Sequence, residues 1–149
     1  GAGIELSRTT GGPVTTETME TSVPGIFSCG NVSTVFDLVD YVAQTGISAG
    51  RNAAGFAAGA WKENGRSVEV VPGENVRLVF PQRYCRRDDL ILYIRAERPI
   101  ERPVTIGISP VEMSVKRLYA RPNEMIRVKV AKEKLKNAAR SIEVNITER

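Results

Sequence analysis

The spacing of apolar residues changes once along this chain, between residues 64 and 67, and that change limits what it can fold into. Before it, Val42, Gly46, Ala49, Ala53, Ala57 and Ala60 recur every third or fourth position, which is the period of a helix face. After it the period is two. Runs at 68–70, 76–80, 90–94, 104–108, 111–115, 125–130 and 142–146 alternate or are wholly apolar. Turn signals separate them: Pro72-Gly73, Pro81, Arg87-Asp88-Asp89, Pro99, Pro103, Pro110 and Pro122-Asn123. The chain therefore reads as two segments, 1–64 and 65–149, of an α+β protein.

Short strands at this spacing predict an antiparallel β-sandwich of immunoglobulin or fibronectin type for the second segment. Residues 131–139 read as a short helical crossover before the last strand. Phe80, Tyr84, Tyr93 and Tyr119 fit a core or sheet face better than a base-stacking platform. Glu112, Glu124 and Glu143 fall at outward strand positions or in turns, and no carboxylate pair or metal-ligand spacing stands out. Docking or domain contact is the role this module can fill.

In the first segment, residues 1–21 predict two short extended pieces, at 4–6 and 14–16, joined by a Gly11-Gly12-Pro13 turn. The helix is predicted from about Leu38 to about Lys62, with Gly65 as its C-cap. Gly46, Gly50, Gly55 and Gly59 each cost such a helix roughly 1 kcal/mol against Ala. Close packing along the small-residue face has to offset that, so the helix is expected to be buried, by the β module or by self-association.

Between these lies the most informative stretch. Residues 25–29 read as a short buried strand bounded by Pro24-Gly25 and Gly30. Gly30 permits a backbone conformation or close approach that a Cβ would block. Asn31 places a short polar side chain just past the strand's carboxyl end, where ligands bind in open α/β sheets. Asp37 suits the N-cap of the following helix, whose N-terminus offers N–H groups to an electron-rich ligand. The competing reading of Asn31 is a turn residue that satisfies its own backbone.

The string Thr21-x-x-Pro24-Gly25-Ile26-Phe27-Ser28-Cys29-Gly30-Asn31 resembles the second FAD-binding signature of the pyridine nucleotide-disulfide oxidoreductase superfamily, T-x-x-P-G-[IV]-[FY]-A-x-G-D. With Gly11-Gly12-Pro13-Val14, Val32, the 37–42 run and Ala49-Gly50, it is similar to a narrower branch, the NAD(P)/FAD-dependent oxidoreductases found beside glycerol-3-phosphate dehydrogenases. There the signature's Asp is commonly Asn. The resemblance covers about the first sixty residues closely. It implies that 1–64 is the C-terminal segment of a Rossmann-like FAD-binding domain, with Asn31 on the FAD ribitol and Gly30 allowing its approach. Backbone around Asp37, Leu38 and Val39 would face the flavin and pyrophosphate side, and NAD(P)H would be the co-substrate. The superfamily's G-x-G-x-x-G copies and its redox cysteine pair do not occur in this sequence. The expectation is thus the C-terminal portion of a larger flavoenzyme, not catalytic alone and partnered by the remaining FAD and NAD domains or by a subunit carrying them.

Composition narrows the alternatives. The 149 residues carry a formal charge of +4, but Arg86-Arg87 is offset at once by Asp88-Asp89, so a solvated strand-end loop outweighs a nucleic-acid patch. With no His, a Ser-His or Cys-His nucleophile and His-ligated zinc are excluded. Cys29 reads as a small buried apolar residue ahead of a redox role. Cys85, among Arg83, Arg86 and Arg87, reads as a surface thiol, with a lowered pKa as the sharper option. No apolar run suits a membrane span and no signal peptide is evident, so a cytoplasmic protein is expected. The rival to the flavoenzyme reading is a non-catalytic module that forms homo-oligomers or docks a partner through the small-residue helix.

Overall fold

The computed structural model describes residues 1–60, 67–138 and 140–149. Among them lie one α-helix, α1 (Val39–Ala57), and eight strands: β1 (Val68–Pro72), β2 (Val76–Phe80), β3 (Arg83–Tyr84), β4 (Leu90–Ala96), β5 (Val104–Ser109), β6 (Met113–Arg117), β7 (Ile126–Val130) and β8 (Ser141–Glu148). The strands form two sheets, a five-stranded one in the order β3-β1-β8-β5-β6 and a three-stranded one in the order β2-β4-β7. The mixed α+β class is as expected.

Why the strands read as they do follows from what covers them. The five-stranded sheet has one buried face, so its strands alternate: Val104, Ile106 and Ile108 enter the core while Thr105 and Gly107 do not. The three-stranded sheet is covered on both faces. In β4, Leu90, Leu92 and Ile94 pack against the larger sheet, whereas Ile91 and Tyr93 face the helix side. That is why 90–94 is a continuous apolar run. A bulge between Val76 and Leu78 resets β2, so that Val76 and Val79 join the inter-sheet core while Leu78 and Phe80 join the helix side. The layers run helix, small sheet, large sheet.

The sheets are not purely antiparallel. β1 and β8 pair in parallel, Glu69 opposite Ser141 through Pro72 opposite Val144. Parallel neighbours need a long crossover, and the whole of β2–β7 supplies it; nothing local in either strand marks that pairing. The predicted crossover at 131–139 is reduced to a 3-10 helix over Lys132–Leu135. The strand predicted at 111–115 begins two residues later, because Pro110 and Glu112 lie in a turn with Glu112 at φ +49°. Tyr119 is partly exposed with the Arg121 guanidinium 4.3 Å over its ring, rather than in the core.

The first segment departs further. The 25–29 strand exists only as an isolated bridge, Glu20 to Phe27, while Leu6 and Pro13 bridge as the predicted Gly11-Gly12-Pro13 turn requires. The helix stops at Ala57 rather than near Lys62. Gly59, at φ +69°, takes the left-handed C′ position; its N–H donates to the Phe56 carbonyl and that of Ala60 to Gly55, a Schellman end. The predicted Lys62 terminus and Gly65 cap lie outside the described residues. Nor is the helix buried: only Thr45 and Ala49 are, and of these Ala49 rests in a cluster with Met19, Phe36, Leu78, Phe80, Tyr93 and Met125. Tyr41 extends this contact, its ring 5.2 Å from that of Tyr93 at a steep angle.

Candidate functional site

The signature loop begins at Gly30, which opens a 3-10 turn, Gly30–Val32, at φ +64°. The residue is buried, and its N–H donates to Thr45 Oγ1 at 3.0 Å; that hydroxyl in turn donates to the Val42 carbonyl at 2.8 Å. A Cβ at Gly30 would lie 3.3 Å from Val42 Cγ1. The close approach at this glycine is therefore made by α1. Beneath the loop, Ser28 and Ser33 hydroxyls share a buried hydrogen bond of 2.6 Å.

The loop is also clamped from the N-terminal side. A Cβ on Gly12 would fall 2.2 Å from the Val32 carbonyl oxygen and 2.4 Å from that of Ser33. Gly12 is thus required by contact with the signature loop, as well as by the turn it sits in.

Asn31 is exposed, and its Oδ1 accepts the Phe36 N–H at 3.2 Å. Its side chain therefore closes the loop that leads to the helix, as a turn residue does. Asp37 does not cap α1. The N-cap is Leu38, with no side-chain cap bond. Asp37 instead pairs with Arg95 at 2.5 Å and accepts the Met125 N–H, and Arg95 also donates to the Val35 and Pro122 carbonyls. The carboxylate is drawn to the sheet because Arg95 projects from β4 toward the loop. This leaves the helix N-terminus without a side-chain acceptor. Around it Val32, Val35, Leu38 and Val39 are 66, 67, 50 and 79% exposed. Of the predicted residues, Gly30 and Asn31 share one turn and Asp37, Leu38 and Val39 the helix entrance. The cleft between α1 and the small sheet, the groove beside Arg117 and the one beside Arg77 are lined by other residues.

No protein-family model, curated protein or solved structure matches this chain.

A second constellation escapes sequence reading. Glu17, buried to 6% exposure, accepts the N–H groups of Cys85 and Arg87, each at 2.8 Å, and lies 3.1 Å from the Cys85 sulfur. Arg86 between them sits at φ +65°, so the two N–H groups converge into a small anion cradle filled by the Glu17 carboxylate. Burial, then the Glu17 charge, pushes the Cys85 thiol up to about 12. Both expectations for Cys85, a surface thiol first and an arginine-lowered one as the sharper option, are corrected: it is a half-buried thiol held protonated.

The 83–89 region is likewise not a merely solvated loop. Arg83 pairs with Glu5, Arg87 with Glu20, Asp88 with Arg51 and Asp89 with Lys129, at 2.7–3.4 Å. It ties the N-terminal segment and α1 to the β module. Glu17 lies in a Thr-rich stretch with no apolar period, and the Cys85 and Arg87 groups some seventy residues later give it a role. Among the described residues no group of His, Cys, Asp and Glu could hold a metal, and no helix is long and apolar enough to cross a membrane.

Proposed function

We propose that this chain is the C-terminal portion of an FAD-dependent NAD(P)H oxidoreductase, contributing the ribitol- and flavin-side contact of the dinucleotide site and a docking β module. The reading rests on one observation. The signature loop and the α1 N-terminus form a rigid, uncapped edge ringed by Val32, Val35, Leu38 and Val39, all left open. A helix N-terminus with free N–H groups favours an electron-rich ligand, and exposed apolar side chains beside it favour a large flat one or a covering polypeptide. The residues fit half of such a site. Asn31 is exposed beside the turn, and the first N–H groups of α1 have no side-chain acceptor. Gly30, by contrast, would act through the helix it lets approach and not through direct contact.

In this reading the flavin, when bound, supplies hydride exchange with the nicotinamide, and the chain supplies orientation and shelter from water. The remaining grip on the dinucleotide, and the nicotinamide site, belong to polypeptide carrying the glycine-rich motifs. The first segment then stands as a Rossmann-like remnant, and the β module as an immunoglobulin-like sandwich with one parallel pair. A cytoplasmic setting goes with this reading.

The test joins the chain to the glycine-motif polypeptide and measures bound FAD by its visible absorbance. Asn31→Leu is expected to lower FAD content and affinity while the fold, followed by circular dichroism, persists. Unchanged FAD binding in that variant overturns the assignment. The second reading is a non-catalytic association module, favoured by Ile47 and Phe56, which expose further apolar surface on α1. A colourless protein that still self-associates would support it.

A further inference from the structure

We propose that the cleft between α1 and the three-stranded sheet binds a small organic anion with a short apolar body, anchored by Arg127. The cleft encloses about 410 Å³, within the roughly 300–1,000 Å³ of small-molecule sites. It meets the signature loop at Thr45, whose hydroxyl accepts the Gly30 N–H, but the proposal needs no flavin.

Arg127 comes to the cleft by strand alternation. Its neighbours Ile126 and Val128 enter the inter-sheet core, so residue 127 faces the helix layer. There it is half-buried beside the Tyr93 phenol, and its Nε is buried with no hydrogen-bond partner. A buried guanidinium nitrogen without an acceptor is rare in folded proteins; because Nε itself is closed to solvent, contact with a ligand in the cleft falls to the rest of the guanidinium, and Nε–H reports it from the same group.

The charges around it have been accounted for elsewhere. Three cations, Arg51, Arg127 and Lys129, face three carboxylates, Glu17, Asp88 and Asp89, so the formal charges lining the cleft balance. Yet Asp88 is taken by Arg51 at 2.7 Å and Asp89 by Lys129 at 2.8 Å, while Glu17 is taken by the 85–87 backbone. Among the described residues Arg127 has no carboxylate partner within ion-pair distance. Selectivity must therefore come from contact. A guanidinium offers parallel donors that match a carboxylate or phosphate edge. Burial keeps the Tyr93 phenol protonated, so its O–H remains a second donor. Met19 and Ile91 line the same cleft and give an apolar wall for the ligand's body. Arg127 also borders a neighbouring groove beside Arg117, which supplies a control.

The experiment titrates the full chain with hexanoate, phenyl phosphate and inorganic phosphate. It follows the arginine Nε–H resonances by NMR and the heat by calorimetry. The expected result is a saturable shift of the Arg127 Nε–H with hexanoate or phenyl phosphate, and weaker binding of inorganic phosphate, which lacks the body. Which of the first two binds tighter distinguishes a carboxylate from a phosphate head. R127Q is expected to weaken binding by about tenfold or more. S48W, which fills the helix-side wall and leaves every charge in place, should do the same, so the proposal stays testable if R127Q fails to fold. R117Q should have no effect. The proposal is overturned by the absence of a saturable shift with either organic anion, by equal binding of inorganic and phenyl phosphate, by wild-type binding in folded R127Q, or by sensitivity to R117Q without sensitivity to S48W.

Discussion

A single carboxylate, Glu17, joins the N-terminal segment to the β module through two backbone N–H groups and a thiol. Charged hydrogen bonds contribute roughly 1.5–3 kcal/mol each, and orphaning buried donors costs more than the bond's net worth. Glu17→Ala is therefore expected to destabilise the chain by about 3 kcal/mol, and Glu17→Gln by less, because one amide oxygen still accepts. Urea unfolding midpoints measure both. Burial of the Cys85 thiol, and after it the Glu17 charge, also sets an alkaline transition. The folded Cys85 pKa, about 12, lies above its ordinary value near 9. Between those values the folded state keeps a proton that the unfolded state has lost, so stability is complete below pH 9 and falls as pH rises toward 12. The slope from this group is at most ~1.4 kcal/mol per pH unit. Tyr84, buried and pushed upward as well, adds to the loss at the high end. Cys85→Ala should flatten the decline just above pH 9. A denaturation series from pH 7 to about 10.5 with equal slopes in both proteins would contradict this assignment.

At the level of elements, glycine separates two kinds of constraint that look alike in sequence. At Gly12 a Cβ would enter the Val32 and Ser33 carbonyls, backbone atoms that cannot rotate away. Gly12→Ala should cost ~3 kcal/mol or more and loosen the signature loop. At Gly50, inside α1, a Cβ meets nothing within 4 Å. Gly50→Ala should instead stabilise by roughly 0.5–1 kcal/mol through helix propensity. Thermal melts of the two variants moving in the same direction would refute this distinction. The contrast also marks what was legible in the sequence. Period two placed most of the long strands because side-chain burial alternates wherever a sheet has a covered face. The α1 start was legible within a residue or so, but its cap was not. Asp37 carries the residue type of an N-cap, yet Arg95 and the Met125 N–H, some sixty and ninety residues away, bind it instead. The helix end was misjudged because four glycines looked alike, and only Gly59 combines a left-handed φ with both terminal bonds. The parallel β1–β8 pair and the Glu17 cradle had no local signal at all, since each is defined by a partner distant in the chain.

At the scale of the molecule, one side is closed and another open. The sheets share an apolar core and α1 packs on the outer face of the small sheet through Tyr41, Val42 and Ala49, while Val32, Val35, Leu38, Val39 and Ile47 stay open to solvent. Edge strand β3 is guarded, because Arg83 donates to the Thr15 carbonyl and the N-terminal segment lies along it. Four of these open residues, Val32, Val35, Leu38 and Val39, gather at the helix entrance, and folded proteins seldom leave such a patch without a partner. In the absence of the polypeptide proposed to cover it, the chain should associate with itself through this face. Sedimentation velocity is expected to show a mass that rises with concentration. Val39→Glu, at the most exposed of these positions, should return the chain to monomer with its melting temperature nearly unchanged, since surface substitutions away from packed features shift stability by only ~0.5 kcal/mol. Val39 belongs to the first turn of α1, where an added carboxylate also suits the helix dipole, so a loss of association in this variant cannot be attributed to unfolding. A wild-type chain that sediments as a monomer at every concentration would mean that the open face is not sticky enough to drive association, and that the flavoenzyme reading must stand on the signature loop alone.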